Sequence, residues 1–265
     1  EMMKHCCRTM FYIISLIQRI LGKDYINNSV KQMIMKLTDL RLPNYFSSHY
    51  NKFPNLTPIQ KKAVNSRLLQ NKSLLICAPT ASGKTLIATM AIVNKLNIEG
   101  KKDTELKQDN KLEKGKAIYL VPLKALANEK YKEFKSLLED TEYKVVMSTG
   151  DMDSSSPNLA NYDLLVLTTE KLDSLMRHNV SWLNKIKLVV IDEIHLLNDA
   201  SRGPTLEVIL TILKSRIKPQ LVGLSATIGN PKALADWLEA KLVIDTWRPV
   251  KLHKGIFMDG EVEMY

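Results

Sequence analysis

The stretch Ser73-Leu74-Leu75-Ile76-Cys77-Ala78-Pro79-Thr80-Ala81-Ser82-Gly83-Lys84-Thr85 decides the reading of the chain. An apolar run over 73–77 feeds a loop that closes on Gly-Lys-Thr and then an apolar helical pattern. In a strand–loop–helix of this kind, backbone N–H groups point inward at the positive end of a helix and bind phosphate oxygens. Gly83 lets the backbone approach closely. Lys84 brings a compact positive charge to the β- and γ-phosphates, and the Thr85 hydroxyl is of the type that ligates Mg²⁺. Ala78, Pro79, Thr80, Ala81 and Ser82 complete the expected ATP-binding loop, with Ala78 where the general pattern has Gly.

Outward from this loop, short apolar runs alternate with helical patterns. The runs lie at 73–77, 117–121, 144–148, 164–168, 188–191 and 220–224, and lack the polar alternation of half-exposed strands. Helical stretches fall near 58–70, 84–97, 123–138, 170–177, 205–217 and 231–239, two of them opened by Thr57-Pro58 and Gly203-Pro204. Such alternation predicts an α/β domain with a mostly parallel, doubly wound sheet and helices on both faces, over residues 35–250. Residues 99–116, rich in charges of both signs, read as a mobile surface insertion. Residues 251–265 read as an exit linker.

A second motif follows in order. Leu188-Val189-Val190-Ile191 is a buried-strand pattern that ends in Asp192-Glu193-Ile194-His195. Adjacent carboxylates leaving a strand can diverge: Asp192 to hold Mg²⁺ through water, Glu193 to polarise the water that attacks the γ-phosphate. A solvated strand end is the plain alternative, and the phosphate loop upstream argues against it.

Composition bounds the partners. The net charge of +10 and pI of about 9.3 favour polyanions, with a merely solvated basic surface as the alternative. Cys6, Cys7 and Cys77 form no disulfide or CxxC framework, which fits a reducing, intracellular setting. The apolar run at 10–17 is too short for a membrane span and has no cleavage signal after it. Residues 1–34 read as an N-terminal extension with helical character, and no membrane association is expected.

The ordered motifs resemble the superfamily 2 helicases. Residues 78–85 look like motif I, in which these enzymes commonly use Ala at the first position, and Asp192–His195 looks like motif II of the DExH class. Thr57-Pro58-Ile59-Gln60 resembles the Q motif, which implies that Gln60 reads an adenine edge. Val121-Pro122-Leu123-Lys124-Ala125-Leu126-Ala127 resembles motif Ia. Ser148-Thr149-Gly150-Asp151 and Thr168-Thr169-Glu170-Lys171 resemble the next two nucleic-acid motifs, and Ser225-Ala226-Thr227 resembles motif III. Arg202-Gly203-Pro204-Thr205-Leu206-Glu207 and Trp247-Arg248-Pro249-Val250 look like the Ski-two-like branch, most similar to the archaeal replication-fork DNA helicases, relatives of the helicase domain of DNA polymerase theta.

The resemblance implies a first RecA-like motor lobe of an ATP- and Mg²⁺-dependent DNA helicase with 3′-to-5′ polarity, acting on single-stranded or forked DNA in repair or replication-fork processing. An RNA helicase lobe of the same branch, with RNA as partner, and a non-catalytic nucleotide-binding module are the alternatives. Lys124, Thr149, Gly150, Thr168 and Arg202 become candidate nucleic-acid contacts. Against this, Thr168 can simply end a strand, Gly150 can serve a turn, and Lys124 can be a solvated helix residue. Ser225 and Thr227 are expected to relay nucleotide state to nucleic-acid grip. His195 is expected near the γ-phosphate or the second lobe, with a satisfied core histidine as the alternative. Tyr45, Phe46, Tyr50 and Phe53 read as local core or as a platform for adenine. No segment resembles motif VI with its arginines, so the second RecA-like lobe is expected as the missing partner, and the lone lobe is expected to hydrolyse ATP poorly.

Overall fold

The computed structural model describes residues 35–105, 115–150, 157–250, 255–258 and 261–264. The expectation for 1–34 therefore lies outside the described residues. The chain divides into two compact units. In the smaller, the described residues are 35–41 and 50–56, joined by an antiparallel bridge between Lys36 and Asn55. Leu37 N–H donates to the Pro54 carbonyl at 2.8 Å and Leu56 N–H to that of Met35 at 2.9 Å. Leu37, Leu40 and Leu56 supply its buried apolar side chains, and Phe53 is exposed.

The larger unit holds a seven-stranded sheet in the order β3-β4-β2-β5-β6-β1-β7, every pairing parallel. Its strands are β1 (Leu74–Cys77), β2 (Lys116–Val121), β3 (Val145–Ser148), β4 (Leu164–Thr168), β5 (Ile186–Ile191), β6 (Gln220–Ser225) and β7 (Lys241–Ile244). The helices are α1 (Asn44–His49), α2 (Pro58–Asn65), α3 (Lys84–Glu105), α4 (Lys124–Leu138), α5 (Thr169–Arg177), α6 (Gly203–Ile212) and α7 (Pro231–Trp237). β1, β2, β4 and β6 are buried along their whole length, as their mainly apolar sequences lead one to expect, and the polar residues at their ends, Lys116, Thr168, Gln220 and Ser225, are buried with them. Each buried Leu, Ile or Val contributes roughly 1.5–3 kcal/mol. One core cluster runs from Leu75, Ile118 and Leu165 through Val189 to Leu206 and Leu210. Trp182 is buried in it and Trp237 packs against it. On α1, Phe46 is wholly buried, which is the local-core reading.

Three boundaries differ from expectation. The helix that begins at Lys84 runs on to Glu105, into the charged stretch taken as an insertion, because Lys, Asp, Thr and Glu interrupt no helical hydrogen bond. At its far end Lys116 is buried in β2, its Nζ donating to the carbonyls of Ala160 at 2.6 Å and Tyr162 at 2.5 Å. Residues 106–114 lie outside the described residues. The third difference is the tail: Gly255–Met258 (β8) and Glu261–Met264 (β9) pair antiparallel, so part of the expected linker is a hairpin. β7 also escaped the sequence, since its four residues sit at a sheet edge with mixed exposure.

Parallel pairing sends the carboxyl ends of all seven strands to one edge, where α/β sheets bind ligands. The phosphate loop, the acidic turn and the stretches at 121–127, 148–151, 168–171 and 225–227 lie at these strand ends, while the stretch at 202–207 opens α6. Among the described residues no helix is long and apolar enough to cross a membrane.

Candidate functional site

The phosphate loop leaves β1 and enters α3. Ala81 and Gly83 take positive φ, 64° and 92°, which curls the backbone around the loop. Gly83 is obligatory twice over: its φ suits glycine, and a Cβ there would lie 2.3 Å from Gln60 Nε2. Ala78 and Pro79 are buried, Thr80 and Ala81 exposed, and Thr85 half-buried at the first turn of α3. Lys84 Nζ donates to the carbonyls of Ala78 at 2.7 Å and Pro79 at 2.9 Å, folding back over the loop. Burial lowers the Lys84 pKa, while the charges of Glu193 and Asp192 oppose the shift. The loop and the acidic turn lie at the same carboxyl edge of the sheet, with β6 between β1 and β5.

Helix α2 braces this loop. Thr57 N–H donates to Gln60 Oε1 at 2.8 Å, and Gln60 Nε2 donates to the Gly83 carbonyl at 2.9 Å. Thr57 Oγ1 donates to the Ser82 carbonyl at 2.9 Å. The implied adenine-reading role of Gln60 is not what this arrangement displays. The side chain is buried, with one of its two amide N–H groups on the Gly83 carbonyl and one oxygen lone pair on its own helix cap. Ser82 Oγ, close to these contacts in sequence, is buried without a protein hydrogen-bond partner.

At the end of β5 the backbone turns abruptly: Glu193 sits in the left-handed region at φ 50° and ψ 44°. A non-glycine residue there carries roughly 1–3 kcal/mol of strain, held in place by its surroundings. The turn separates the two carboxylates and drops Ile194 into the core. Gly223 on β6 leaves the room, since a Cβ would lie 3.0 Å from Ile194 Cδ1. Asp192 N–H donates to the Leu120 carbonyl at 2.9 Å, tying the acidic turn to β2. The Asp192 carboxylate accepts from Glu193 N–H at 3.0 Å on Oδ1 and from the Tyr119 hydroxyl at 2.8 Å on Oδ2. His195 is half-exposed, with Nδ1 3.3 Å from a Glu193 carboxylate oxygen, close enough for charge pairing but without hydrogen-bond alignment. The core-histidine alternative is thereby set aside.

Ser225 closes β6 beside the loop: its carbonyl accepts from Ala78 N–H at 3.2 Å, while its buried hydroxyl lacks a protein partner. Thr227 is exposed just beyond. The Ser225 carbonyl thus joins the end of β6 to the first residue of the phosphate loop.

The other half of the edge collects the nucleic-acid candidates. Lys124 is exposed at the start of α4, and its Nζ lies 3.5 Å from where a Gly150 Cβ would stand. Gly150 itself has φ 96°, a turn position that favours glycine. Thr149 is half-buried at the end of β3. Thr168 must be corrected: it is only 2% exposed and its Oγ1 accepts from Lys171 N–H at 3.4 Å as the cap of α5. It ends a strand and starts a helix, and its hydroxyl does not face outward. Arg202 is half-buried; Asp199 Oδ1 holds its N–H at 2.9 Å, and it lines a small cavity with Pro122, Thr169, Asp192 and Glu193. Arg202 therefore stands between the acidic pair and the ends of β2 and β4.

Sequence reasoning passed over three contributors. Tyr119 lies inside an apolar run, where a phenol is the one polar tip, and that tip was the available signal. Asp245 and Lys62 form an ion pair at 2.9 Å, and Lys62 also reaches the Ile244 carbonyl at 3.0 Å. These residues fasten the end of β7 to α2, and no motif spacing announces a partner so distant in sequence.

For Mg²⁺, Asp192 and Thr85 offer hard oxygen donors with a single carboxylate. Among the described residues no group of three His, Cys, Asp or Glu side chains gathers as a metal cage. That set fits a Mg²⁺ that keeps water and phosphate oxygens as its remaining ligands.

Comparison with known proteins agrees with the geometry. Residues 57–234 match the family model described as DEAD/DEAH box helicase. The chain is 49% identical over 230 residues to a Pyrococcus horikoshii protein named ATP-dependent DNA helicase Hel308, covering 86% of this chain and 30% of that protein. It is 51% identical over 208 residues to the protein of the same name from Methanococcus vannielii, covering 78% and 26%. The Methanocaldococcus jannaschii protein of that name is 51% identical over 209 residues, covering 78% and 17%. The chain thus spans less than a third of the length of these relatives. A solved structure, the DUF1998 helicase MrfA bound to DNA, superposes with a TM-score of 0.63 at 23% identity, over 77% of this chain and 30% of that one. That likeness speaks to the fold.

Proposed function

The chain belongs to the DEAD/DEAH box helicase family, and from that premise we propose that it is the first RecA-like, ATP-binding motor lobe of an ATP-dependent DNA helicase of the Hel308 type. In this reading it grips single-stranded or forked DNA, moves 3′-to-5′ and works against a second lobe of the same polypeptide. The observation that carries it is that the phosphate loop with Lys84 after β1 and the acidic turn with Asp192 and Glu193 after β5 lie at the same carboxyl edge of the sheet, one strand apart.

Each residue then has a task. Lys84 exchanges two neutral carbonyls for charged phosphate oxygens, a stronger partner for an ammonium. Backbone N–H groups of 80–84 line the phosphates, and Thr57 and Gln60 keep that loop in shape through the Ser82 and Gly83 carbonyls. Asp192 and Thr85 would hold Mg²⁺, which when bound neutralises charge that develops on the β- and γ-phosphates. Glu193 orients the attacking water and takes its proton. His195 pairs with Glu193 and sits beside the γ-phosphate. Ser225 and Arg202 touch the nucleotide half and lead toward Lys124, Thr149 and Gly150, which hold the sugar–phosphate backbone.

Glu193→Gln in the helicase tests the assignment. ATP turnover is expected to vanish while binding of a non-hydrolysable ATP analogue persists. Unchanged turnover would falsify the motor reading. Stimulation of turnover by RNA in preference to single-stranded DNA would move the substrate to RNA and leave the motor reading intact.

A further inference from the structure

The search for function beyond the motifs ends at Tyr119. It sits in β2, in register with Val190 of β5 and with Val166 of β4, so strands flank it on both sides. Its side chain is wholly buried. The ring meets Phe134 of α4 edge-to-face, centroids 5.2 Å apart at 60°. A phenylalanine would serve that packing equally well. The hydroxyl needs its own reason, because a buried O–H without a partner costs several kcal/mol at most and gains nothing for the core. Its partner is Asp192 Oδ2 at 2.8 Å.

The other oxygen of the same carboxylate is held by Glu193 N–H. Two donors, one on each oxygen, leave the carboxylate no freedom to rotate about its Cβ–Cγ bond without losing a hydrogen bond. One donor belongs to the strained turn at Glu193, and the other to a rigid central strand. Groups that hold a metal ligand from behind commonly set how well the ligand binds.

We propose that Tyr119 is a positioning residue of the nucleotide site: its hydroxyl fixes the plane of the Asp192 carboxylate and thereby sets how much Mg²⁺ the site needs to take up nucleotide. This rests on the reading of Asp192 as the Mg²⁺-binding carboxylate. Tyr119 touches neither nucleotide nor metal and acts only through Asp192.

The experiment is a Mg²⁺ titration of the binding of a fluorescent, non-hydrolysable ATP analogue to the protein, wild type beside Tyr119→Phe. The variant keeps the ring and its contact with Phe134. Its Mg²⁺ midpoint is expected to rise roughly tenfold, with affinity at saturating Mg²⁺ close to wild type. With Mn²⁺ in place of Mg²⁺, the paramagnetic spectrum of the bound ion is expected to broaden as the carboxylate loses its fixed plane. A packing control, Phe134→Leu, keeps the hydroxyl and loosens the ring; it is expected to lower thermal stability and leave the Mg²⁺ midpoint in place. An unchanged midpoint in Tyr119→Phe overturns the proposal. So does an equal shift in Phe134→Leu, or a loss of binding in Tyr119→Phe that saturating Mg²⁺ does not restore. Should the wild type itself take up nucleotide without regard to Mg²⁺, the fault lies with the assignment of Asp192, and the outcome for Tyr119 is told apart from that failure.

Discussion

The two halves of the sheet's carboxyl edge are built on different principles. Where β5, β6 and β1 end, the groups that face the phosphate loop and the acidic turn are held: Lys84 on two carbonyls, Gln60 on the Gly83 carbonyl, Asp192 by two donors, while the buried hydroxyls of Ser82 and Ser225 have no protein partner. Where β3, β4 and β2 end, Lys124 is exposed, Thr149 is half-open and Gly150 makes a turn. Chemistry on a phosphate needs groups fixed before the substrate arrives, because reorganisation would cost rate. Gripping a sugar–phosphate backbone needs donors and charge at the right spacing, and tolerates looseness. The comparison can be broken by any substitution in one half that acts mainly on the ligand of the other.

The largest effect is expected from Lys84→Ala. Loss of the ammonium removes charged hydrogen bonds to phosphate worth about 2–3 kcal/mol, roughly a 30- to 150-fold rise in the Kd for an ATP analogue. Calorimetric titration reads it, and DNA affinity without nucleotide should stay within about twofold of wild type. A comparable loss of DNA affinity would merge the two halves into one site.

Gly83→Ala comes next and tests the bracing of the loop. The φ of 92° and the approach to Gln60 Nε2 oppose any Cβ, and Gln60 cannot retreat because its amide is pinned at both ends. A cost of about 1–3 kcal/mol is expected. Chemical denaturation and nucleotide titration together show how it divides between stability and binding. A variant as stable and as tight-binding as wild type would mean that the loop is not held by α2.

How much of this the sequence disclosed follows from the same division. The phosphate loop and acidic turn were legible because their chemistry dictates residue type: only Gly suits position 83, and only a carboxylate suits 192. The buried parallel strands were legible because both faces are covered. β7 and the β8–β9 hairpin were not: Lys241–Ile244 follows directly on the α7 helical pattern, and neither Gly255–Met258 nor Glu261–Met264 carries an apolar run as long as those of β1, β2 and β4. Thr168 misled because one hydroxyl serves equally as a helix cap or as a phosphate contact, and only burial separates the two. Gln60 and Tyr119 depended on partners 23 and 73 residues away, which no local spacing reveals.

Lys124→Ala sharpens the other half. One lysine on a phosphate is expected to cost about one unit in the slope of log affinity against log salt, and affinity for single-stranded DNA should fall a few-fold whatever its sequence. Fluorescence anisotropy over a salt series measures both, and nucleotide affinity should not move. An unaltered salt slope would return Lys124 to the solvated surface.

The smallest effect concerns Asp245, which joins the end of β7 to α2. Burial raises its pKa, but the bond from Lys62 and the N–H of Trp247 outweigh that, and the net effect is a pKa lowered from the ordinary 3.8. A carboxylate with a depressed folded-state pKa stabilises the fold at every pH above its unfolded value and loses that contribution as pH falls through the folded one. Lys62 is half in solvent, so screening limits the pair to at most about 1 kcal/mol. Asp245→Asn should therefore lower the denaturation midpoint slightly at neutral pH; the gap from wild type should begin to narrow as pH falls below about 3.8 and close only once pH has passed the lower folded-state value, where both side chains are uncharged. Because α2 also carries Thr57 and Gln60, a small rise in nucleotide Kd at neutral pH, with no change in DNA affinity, is expected to accompany it. A gap that persists unchanged in acid would assign the effect to packing or hydrogen bonding at the end of β7, and would remove the ion pair from the account of how α2 is held against the nucleotide half.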